Sequence, residues 1–345
     1  MADLDIEQPQ ALTEWLRATG RIGSSETPEI QILSGGVSNR TVLVHRPGRD
    51  SWVLKQALGR LRVPTPWHCS PERIHREALG MRWLSTLAPP GAVPALVFED
   101  QEHHLLAMEA VPPPHENWKS LLLAGTIDSD HIRQFGQLLG SIHRRASLAA
   151  DPLEPIFADV QFFEQLRLEP FYAFPAREIP AAAPFLGSLI EQTRGSRLGL
   201  VHGDYSPKNI LVHRNRLVLV DHEVIHWGDP MFDVGFAVSH LLCKAHHDPP
   251  RRQTFAGAVA LFWEHYQLAA WGCLAECTHE ARAAHHALAC LLARAAGRSP
   301  VNYLSDTQRA QQREVSVTLM KDPPADILPL AERFLGEIER RERAR

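Results

Sequence analysis

The sequence has few cysteines, no excess of positive charge and no long apolar stretch. Five cysteines in 345 residues form an odd and scattered set, which is typical of reduced thiols in a cytoplasm rather than of a disulfide framework. The formal net charge of −4 argues against a nucleic-acid partner, because such binding usually depends on a basic domain or stripe. No run of about 18 apolar residues occurs, so the sequence predicts no membrane span.

The first residues also lack the features of a signal peptide. Residues 1–10 contain three acidic residues, no basic residue and no apolar centre, whereas a signal peptide needs a basic start and an apolar core. The sequence therefore predicts a cytoplasmic protein, either a monomer or a homodimer, that does not associate with membranes.

Several well-known functional signatures are missing as well. No G-x-G-x-x-G opens a helix, no Gly-Lys-Ser/Thr occurs, and no Gly-x-Ser-x-Gly is present. These absences argue against a Rossmann fold, a P-loop and a serine-hydrolase elbow. Cys273 and Cys277 with His279 leave a structural zinc site open, since residues four apart share a helix face. No second pair has zinc-finger spacing, and buried thiols with surface imidazoles explain the same residues.

What the sequence does contain begins with a β-rich first third. Short apolar segments bounded by turn residues predict strands at residues 29–33, 39–46, 51–58, 94–98 and 105–109. The turn-forming residues 47–50 make the second and third of these a hairpin. Between the third and fourth strands, Ile74, Ala78 and Met81 recur at helical spacing and predict a helix.

Three successive prolines at residues 112–114 then interrupt this pattern and predict a hinge between two lobes. Beyond them the pattern is mainly helical, with amphipathic helices around residues 132–142, 255–266 and 327–338. A second hairpin is predicted at residues 209–221. The expected fold is therefore α+β and bilobed, with an N-terminal lobe of residues 1–110 and a C-terminal lobe of residues 111–345.

The strongest chemical signal is His202-Gly203-Asp204, followed by Asn209 and, after the second hairpin, by Asp221. Mg²⁺ takes oxygen ligands, commonly one or two carboxylates together with phosphates, and Asn209 and Asp221 can supply such oxygens. Asp204 is then free to accept a hydroxyl proton. Protein kinases use the same spacing of an Asp, an Asn and a metal-binding Asp.

The motif continues with Asp-x-Glu at residues 221–223 and Gly-Asp-Pro-x-x-Asp at residues 228–233. In this extended form it resembles the aminoglycoside phosphotransferase and choline kinase superfamily. The resemblance implies a protein-kinase-like fold with a small β-rich N-lobe and a larger, mainly helical C-lobe. It also implies catalysis by Asp204 with His202, and a loop organised by Asp233. The alternative is that His202 and Asp204 form only a turn and a helix cap.

The same resemblance assigns residues of the N-lobe to ATP. Lys55 would hold the phosphates and Glu77, 22 residues further on, would hold Lys55, because a carboxylate fixes the ammonium group. A glycine-containing loop and the backbone of the hinge complete the predicted nucleotide site: Gly35, Gly36, Ser38, Asn39, Glu109 and Val111. The alternative interpretation is that Gly35-Gly36 forms only a hairpin turn and that Glu77 is only an exposed helix residue. Their positions relative to Lys55 favour the nucleotide site.

The sequence is less specific about the acceptor, the molecule that would receive the phosphoryl group. Residues 55–58 and Arg294 before Gly297 resemble parts of methylthioribose kinase, which implies a substrate role for Arg294. The resemblance is partial, because this sequence keeps Asn209 in the catalytic loop, where methylthioribose kinases often have a different residue. Residues 244–300 contain six basic and four acidic residues, so a polycation is a poor match. We therefore expect Mg-ATP-dependent phosphorylation of a hydroxyl on a small neutral or anionic metabolite, such as a sugar or polyol.

Alternatives to this expectation remain open. One is an aminoglycoside acceptor. Another is a choline-type cation, which needs an aromatic cage; Trp227, Trp263 and Trp271 could contribute to one, and core packing explains them as well. Another is a pseudokinase that binds nucleotide without catalysis. The sequence also leaves open whether ATP or GTP is the donor.

Overall fold

The N-terminal part of the protein is an antiparallel five-stranded sheet with a helix on each face. The computed structural model describes residues 4–33, 36–63, 67–272 and 278–344. The two helices are α1 (Pro9–Ala18) and α2 (Arg73–Leu87). The strands, whose order across the sheet is β1-β2-β3-β5-β4, are β1 (Glu29–Ile32), β2 (Asn39–His45), β3 (Trp52–Ala57), β4 (Leu96–Asp100) and β5 (Leu105–Glu109).

Side chains along the central strands point alternately to the two faces of this sheet. In β5, Leu105 and Ala107 are buried with α1, whereas Leu106 and Met108 are buried with α2, as a period of two requires. Lys55 lies in β3, opposite Leu106 of β5. The sheet thus holds the lysine on the α2 side, where that helix can reach it.

The remainder of the chain is mainly helical. Its first elements are β6 (His115–Asn117), α3 (Trp118–Leu123), α4 (Ser129–Leu148), α5 (Ala150–Phe157), α6 (Gln161–Phe163), a π-helix (Glu164–Ala173), α7 (Phe174–Glu178) and α8 (Ala183–Gly195). Four short strands follow: β7 (Gly199–Val201), β8 (Ile210–His213), β9 (Arg216–Leu219) and β10 (His226–Gly228). The last helices are α9 (Met231–His247), α10 (Arg252–Ala269), α11 (Thr278–Ala296), α12 (Asp306–Leu319) and α13 (Ile327–Arg343).

Helix α9 forms the centre of this helical part. Its residues from Met231 to His246 are all buried, which is characteristic of a helix enclosed by neighbours on every side. Helices α4 and α10 pack very closely, because a Cβ atom at Gly136 would lie 2.4 Å from the carbonyl oxygen of Phe262. None of the helices in the described ranges is long and apolar enough to cross a bilayer.

The predicted elements agree with the structure to within a few residues at their ends. Several elements were not predicted individually, among them α1, which covers one face of the sheet, and β6, which pairs with β8 and turns the second hairpin into a three-stranded sheet. Strands β7 and β10 and helix α9 were also not identified from the sequence. The lobe boundary between residues 110 and 111 stays a prediction.

Candidate active site

The catalytic-loop candidate lies between β7 and β8 and is held by helix α9. Asp233 accepts the backbone N–H of His202 at 2.6 Å and that of Gly203 at 2.8 Å, which is the organising role predicted for it. Gly203 has a φ of +79°, and a Cβ atom there would lie 2.8 Å from Cγ2 of Val224. Both the left-handed backbone and the lack of space require glycine at this position.

Asp204 is fixed through one of its two carboxylate oxygens. The side-chain amide of Asn209 donates to Asp204 Oδ2 at 2.7 Å, and also to the Asp204 carbonyl oxygen at 3.0 Å. The Arg167 guanidinium forms an ion pair with the same Oδ2 at 3.0 Å. Lys208 Nζ is 3.9 Å away from it. The second oxygen, Oδ1, is therefore the one left to meet a substrate.

Arg167 is a functional candidate that the sequence analysis missed. It is buried, and its Nε donates to the carbonyl oxygen of Gly203 at 2.6 Å. One guanidinium thus holds both the backbone and the carboxylate of the catalytic loop. Arg167 comes from the π-helix, an element often found at functional sites. The only sequence signal was an arginine between two leucines.

His202 is buried, and both nitrogens of its ring form hydrogen bonds within the protein. Its Nδ1 accepts the backbone N–H of Asp204 at 3.1 Å, so the other nitrogen, Nε2, carries the proton and donates to Nδ1 of His222 at 3.0 Å. Burial lowers the pKa of His202, which keeps the ring neutral. With both nitrogens engaged by the protein, His202 has the geometry of a positioning residue.

Lys55 joins the two parts of the molecule at a buried ion-pair triad with Glu77 and Asp221. Its Nζ lies 2.7 Å from Glu77 Oε1 and 2.9 Å from Asp221 Oδ1. Burial opposes the charge on Lys55, but the two carboxylates outweigh it and raise the lysine pKa. Burial raises the pKa of Glu77 to about 7, against the attraction of Lys55. Lys55 therefore stays charged and keeps one rotamer.

Asp221 and Asn209 are the oxygen donors that fit a divalent cation. The backbone N–H of Val220 donates to the carbonyl oxygen of Asn209 at 2.9 Å, so the two side chains start from adjoining backbone. Burial opposes ionisation of Asp221, but the charges of Lys55 and Lys208 outweigh it and lower its pKa. Asp221 also has a φ of +73°, a strained conformation for a non-glycine residue that is common at functional sites. A charged carboxylate and an amide oxygen suit Mg²⁺.

Glu223 and the predicted loop residues meet at a second buried centre, Arg73. The Arg73 guanidinium, which is fully buried, forms an ion pair with Glu223 at 3.1 Å and donates to the carbonyl oxygen of Ser38. Asn39 is buried and its amide donates to Glu223 at 3.4 Å. Arg73 thus ties the loop after Gly36 to the segment that carries Asp221.

The predicted loop residues therefore differ in what they offer a nucleotide. Gly36 is exposed and Ser38 is half-buried, although the Ser38 carbonyl oxygen already accepts from Arg73 and from the backbone N–H of Leu58. Asn39, in contrast, turns its side chain into the protein. Gly35 lies outside the described residues.

The hinge candidates follow the last residues of β5. The backbone N–H of Glu109 donates to the carbonyl oxygen of Ala95, and that of Ala110 to Ser51, both at 2.9 Å. Within the described part of the chain, the backbone N–H of Val111 has no backbone acceptor. It is therefore available to a ligand such as an adenine ring.

Arg294 lies on α11 with its guanidinium between two aromatic rings. Its Cζ is 4.6 Å from the ring centroid of Phe171 and 5.0 Å from that of Phe236. The same Phe171 ring lies 5.6 Å from Cζ of Arg167, which pairs with Asp204 at 3.0 Å, so the structure places the predicted substrate arginine on the side of the candidate catalytic loop.

The structure bears on one of two alternatives from the sequence, the aromatic cage, and leaves the zinc site untested. Trp227 and Trp263 are buried in the core and Trp271 is 80% exposed, so the three rings do not line a common site. Among the described residues, no group of three or more His, Cys, Asp or Glu side chains is arranged to hold a metal ion. Cys273 and Cys277 lie outside those residues.

Comparison with known proteins assigns the family. Residues 29–277 match the profile of a group described as the phosphotransferase enzyme family (APH). Because this match covers well over half of the 345 residues, the protein belongs to this phosphotransferase family, within the aminoglycoside phosphotransferase and choline kinase superfamily that the motifs predicted. No curated protein matches the chain.

Solved structures support the protein-kinase-like fold at low sequence identity. Amicoumacin kinase hAmiN, in complex with AMP-PNP, Ca²⁺ and Ami, has a TM-score of 0.57 and 14% identity, over 86% of this chain and 89% of its own. A choline/ethanolamine kinase family protein from Mesorhizobium loti has a TM-score of 0.51 and 17% identity, over 95% and 99%. Choline kinase LicA from Streptococcus pneumoniae has a TM-score of 0.51 and 12% identity, over 97% and 99%.

Proposed function

We propose that the protein transfers the γ-phosphoryl group of Mg-ATP to a hydroxyl group of a small metabolite. The observation that carries this proposal is the position of Lys55, whose ammonium group lies between Glu77 and Asp221 at 2.7 and 2.9 Å. A lysine fixed in this way, next to a candidate metal-binding aspartate, is the arrangement that phosphoryl transfer requires.

Each part of the nucleotide has a candidate partner in the proposed site. Lys55 binds the α- and β-phosphates, while Glu77 holds Lys55 in place. Gly36 and Ser38 cover the phosphates, together with Gly35 by family resemblance. The backbone of Glu109 and Val111 receives the adenine ring. Asn209 and Asp221 hold Mg²⁺, which when bound neutralises charge on the phosphates.

The chemical step needs little more than positioning and charge stabilisation. Asp204 accepts the proton of the acceptor hydroxyl through its free oxygen, while Asn209 and Arg167 hold the other oxygen. The acceptor oxygen forms a bond to the γ-phosphorus as the bond from that phosphorus to the ADP oxygen breaks. His202 holds the backbone of Asp204 by accepting its N–H.

Sugars and polyols are the phosphoryl acceptors that we expect. We expect the protein to bind neither nucleic acid nor membranes. A cytoplasmic location, a monomeric or homodimeric state and a lobe boundary at residues 110 and 111 belong to the same proposal. An aminoglycoside or choline-type acceptor and a nucleotide-binding pseudokinase are the rivals.

A transfer assay across an acceptor panel tests this function. The purified protein is incubated with Mg²⁺, γ-labelled ATP or GTP, and separate sugars, polyols, methylthioribose, choline and kanamycin. We expect label on a sugar or polyol with the wild type and its loss with Asp204→Ala. Binding of Mg-AMP-PNP without transfer to any acceptor would establish the pseudokinase instead. Efficient transfer to kanamycin or choline, with sugars inert, would show that the acceptor class is wrong.

A further inference from the structure

Two lysines lie close to the ring of Tyr303, in the helical part of the protein. The ammonium group of Lys244 is 5.6 Å from the Tyr303 ring centroid, and that of Lys119 is 5.7 Å from it. Lys244 belongs to α9 and is 1% exposed, and Lys119 belongs to α3. Elements distant in the sequence therefore bring two cations to one tyrosine.

Arg294 and His240 adjoin this pair of lysines. The Arg294 guanidinium lies 5.0 Å from the Phe236 ring, and the His240 ring lies 4.9 Å from the same Phe236 ring. The positive charges of Arg294, Lys244 and Lys119 all act on His240 and, after burial, help to lower its pKa. We call Lys119, His240, Lys244, Arg294 and Tyr303 the basic cluster.

The cations of the basic cluster have no carboxylate partner. In the described part of the chain, neither Lys119, Lys244 nor Arg294 forms an ion pair. Lys244 Nζ donates to the carbonyl oxygen of His240 at 3.2 Å and Lys119 Nζ to Asn302 Oδ1 at 3.3 Å, which are neutral acceptors. Unpaired buried charges are costly, and burial accordingly lowers the pKa of Lys244 to about 7.

Three buried polar atoms of the same cluster also lack a partner. Among the residues the structure describes, His240 Nε2, Arg294 Nε and Tyr303 Oη form no hydrogen bond. Native proteins satisfy most such groups, so three in one cluster indicate a missing ligand with acceptor atoms. Lysine, arginine and the tyrosine hydroxyl can all donate.

The ring of Phe171 connects the basic cluster to the candidate catalytic base. Its centroid is 4.6 Å from Cζ of Arg294 and 5.6 Å from Cζ of Arg167, and Arg167 pairs with Asp204 at 3.0 Å. A molecule in the basic cluster is therefore near the carboxylate that would accept its proton.

We propose that the basic cluster binds a carboxylate or phosphate group of the acceptor and so places the acceptor hydroxyl at Asp204. This inference rests on the proposed function and narrows its acceptor to an anion. A cationic acceptor would meet repulsion from Lys244, Lys119 and Arg294. An anion replaces the missing carboxylates and supplies acceptors to the unpaired donors.

Calorimetry with matched probes tests the proposal in the presence of saturating Mg-AMP-PNP, which blocks the nucleotide phosphate site. The probes are D-gluconate, inorganic phosphate and the neutral polyol D-glucitol. We expect gluconate or phosphate to bind at least tenfold more tightly than glucitol; which of the two binds identifies the anionic group. Lys244→Met and Arg294→Gln should each weaken that binding about tenfold or more. Lys321→Met, which removes an exposed lysine, should leave it unchanged.

Several results would overturn the anion site. They are equal affinity for gluconate and glucitol, no binding of either anion, or anion binding that survives both substitutions. If Lys244→Met does not fold, Arg294→Gln and Tyr303→Phe provide the same comparison. The same titrations without nucleotide separate the two proposals. Failure of Mg-AMP-PNP to bind would contradict the proposed function. A preference for an anion over glucitol, measured without nucleotide, tests the basic cluster alone.

Discussion

At the scale of single residues, the two oxygens of Asp204 have different surroundings. Asn209 and Arg167 both bind Oδ2, which fixes the carboxylate plane and leaves Oδ1 as the oxygen for a substrate. This division suits a general base, whose free oxygen must reach a hydroxyl at hydrogen-bond distance.

Removing that carboxylate should stop transfer without affecting the nucleotide. We expect Asp204→Ala to lower kcat by about 10² or more, the usual contribution of a positioned base, with Mg-AMP-PNP affinity unchanged. Steady-state kinetics and calorimetry measure the two quantities. Asp322→Ala, at a side chain that is 87% exposed, is the control. Turnover close to that of the wild type would remove Asp204 from the chemistry.

Asp221 should affect nucleotide binding instead. Asp221→Asn removes a charged oxygen that a hard cation prefers and one carboxylate of the Lys55 triad. We expect roughly tenfold weaker binding of AMP-PNP in the presence of Mg²⁺, equivalent to about 1.4 kcal/mol. Titrations with and without Mg²⁺ measure the difference, with Asp322→Asn as the matched substitution. An unchanged affinity in Mg²⁺ would contradict the metal role.

At the scale of elements, the π-helix (Glu164–Ala173) delivers Arg167 to the catalytic loop. Arg167 contacts the Gly203 carbonyl oxygen and the Asp204 carboxylate with different nitrogens. A lysine has a single ammonium group and cannot reproduce this planar two-point contact. The element therefore supports Asp204 from the protein side of the candidate site.

Substitution of Arg167 should change turnover more than binding. We expect Arg167→Gln to lower kcat by about 10- to 100-fold, the range that a small misplacement of a reacting group produces, and Arg167→Lys to recover part of it. The KM for ATP should stay constant, whereas a merely structural defect would also change it. Arg177→Gln, at an exposed arginine of the adjoining helix, is the control. Equal changes in kcat and the KM for ATP would contradict the positioning role.

At the scale of the whole molecule, the basic cluster should reduce the stability of the fold. An unfolded lysine loses its proton near pH 10.4, whereas Lys244 in the fold has a pKa of about 7 because of burial. Between these values the unfolded chain binds more protons, so the free energy of unfolding rises with pH. The cost of charging Lys244 is greatest below pH 7.

Lys244→Met should therefore stabilise the protein while it weakens acceptor binding. Below pH 7 we expect the variant to have a larger free energy of unfolding, by on the order of 1–3 kcal/mol. The gain should shrink as pH rises towards 10. Urea denaturation at pH 6 and pH 9.5 measures it, and Lys321→Met corrects for the change in net charge. A gain that does not depend on pH would show that Lys244 is not the titrating group.

The sequence by itself determined the local elements and the order of the chemical groups. Strand alternation, turn residues and helical spacing are local properties, so β2, β3 and α2 were predictable. The segment from His202 to Asp221 is also contiguous enough to be recognised as one motif, and it led to the correct family.

Only the tertiary structure decided which distant residues meet. Arg167, Arg73 and Lys244 are single basic residues in unremarkable segments, and their roles come from partners 36, 150 and 59 positions away: Gly203, Glu223 and Tyr303. Burial and pairing set the charge state and cost of each group, and neither is a property of the local sequence. The catalytic motif was therefore visible in the sequence, whereas the residues that position it and those proposed to select its acceptor became visible only in the fold.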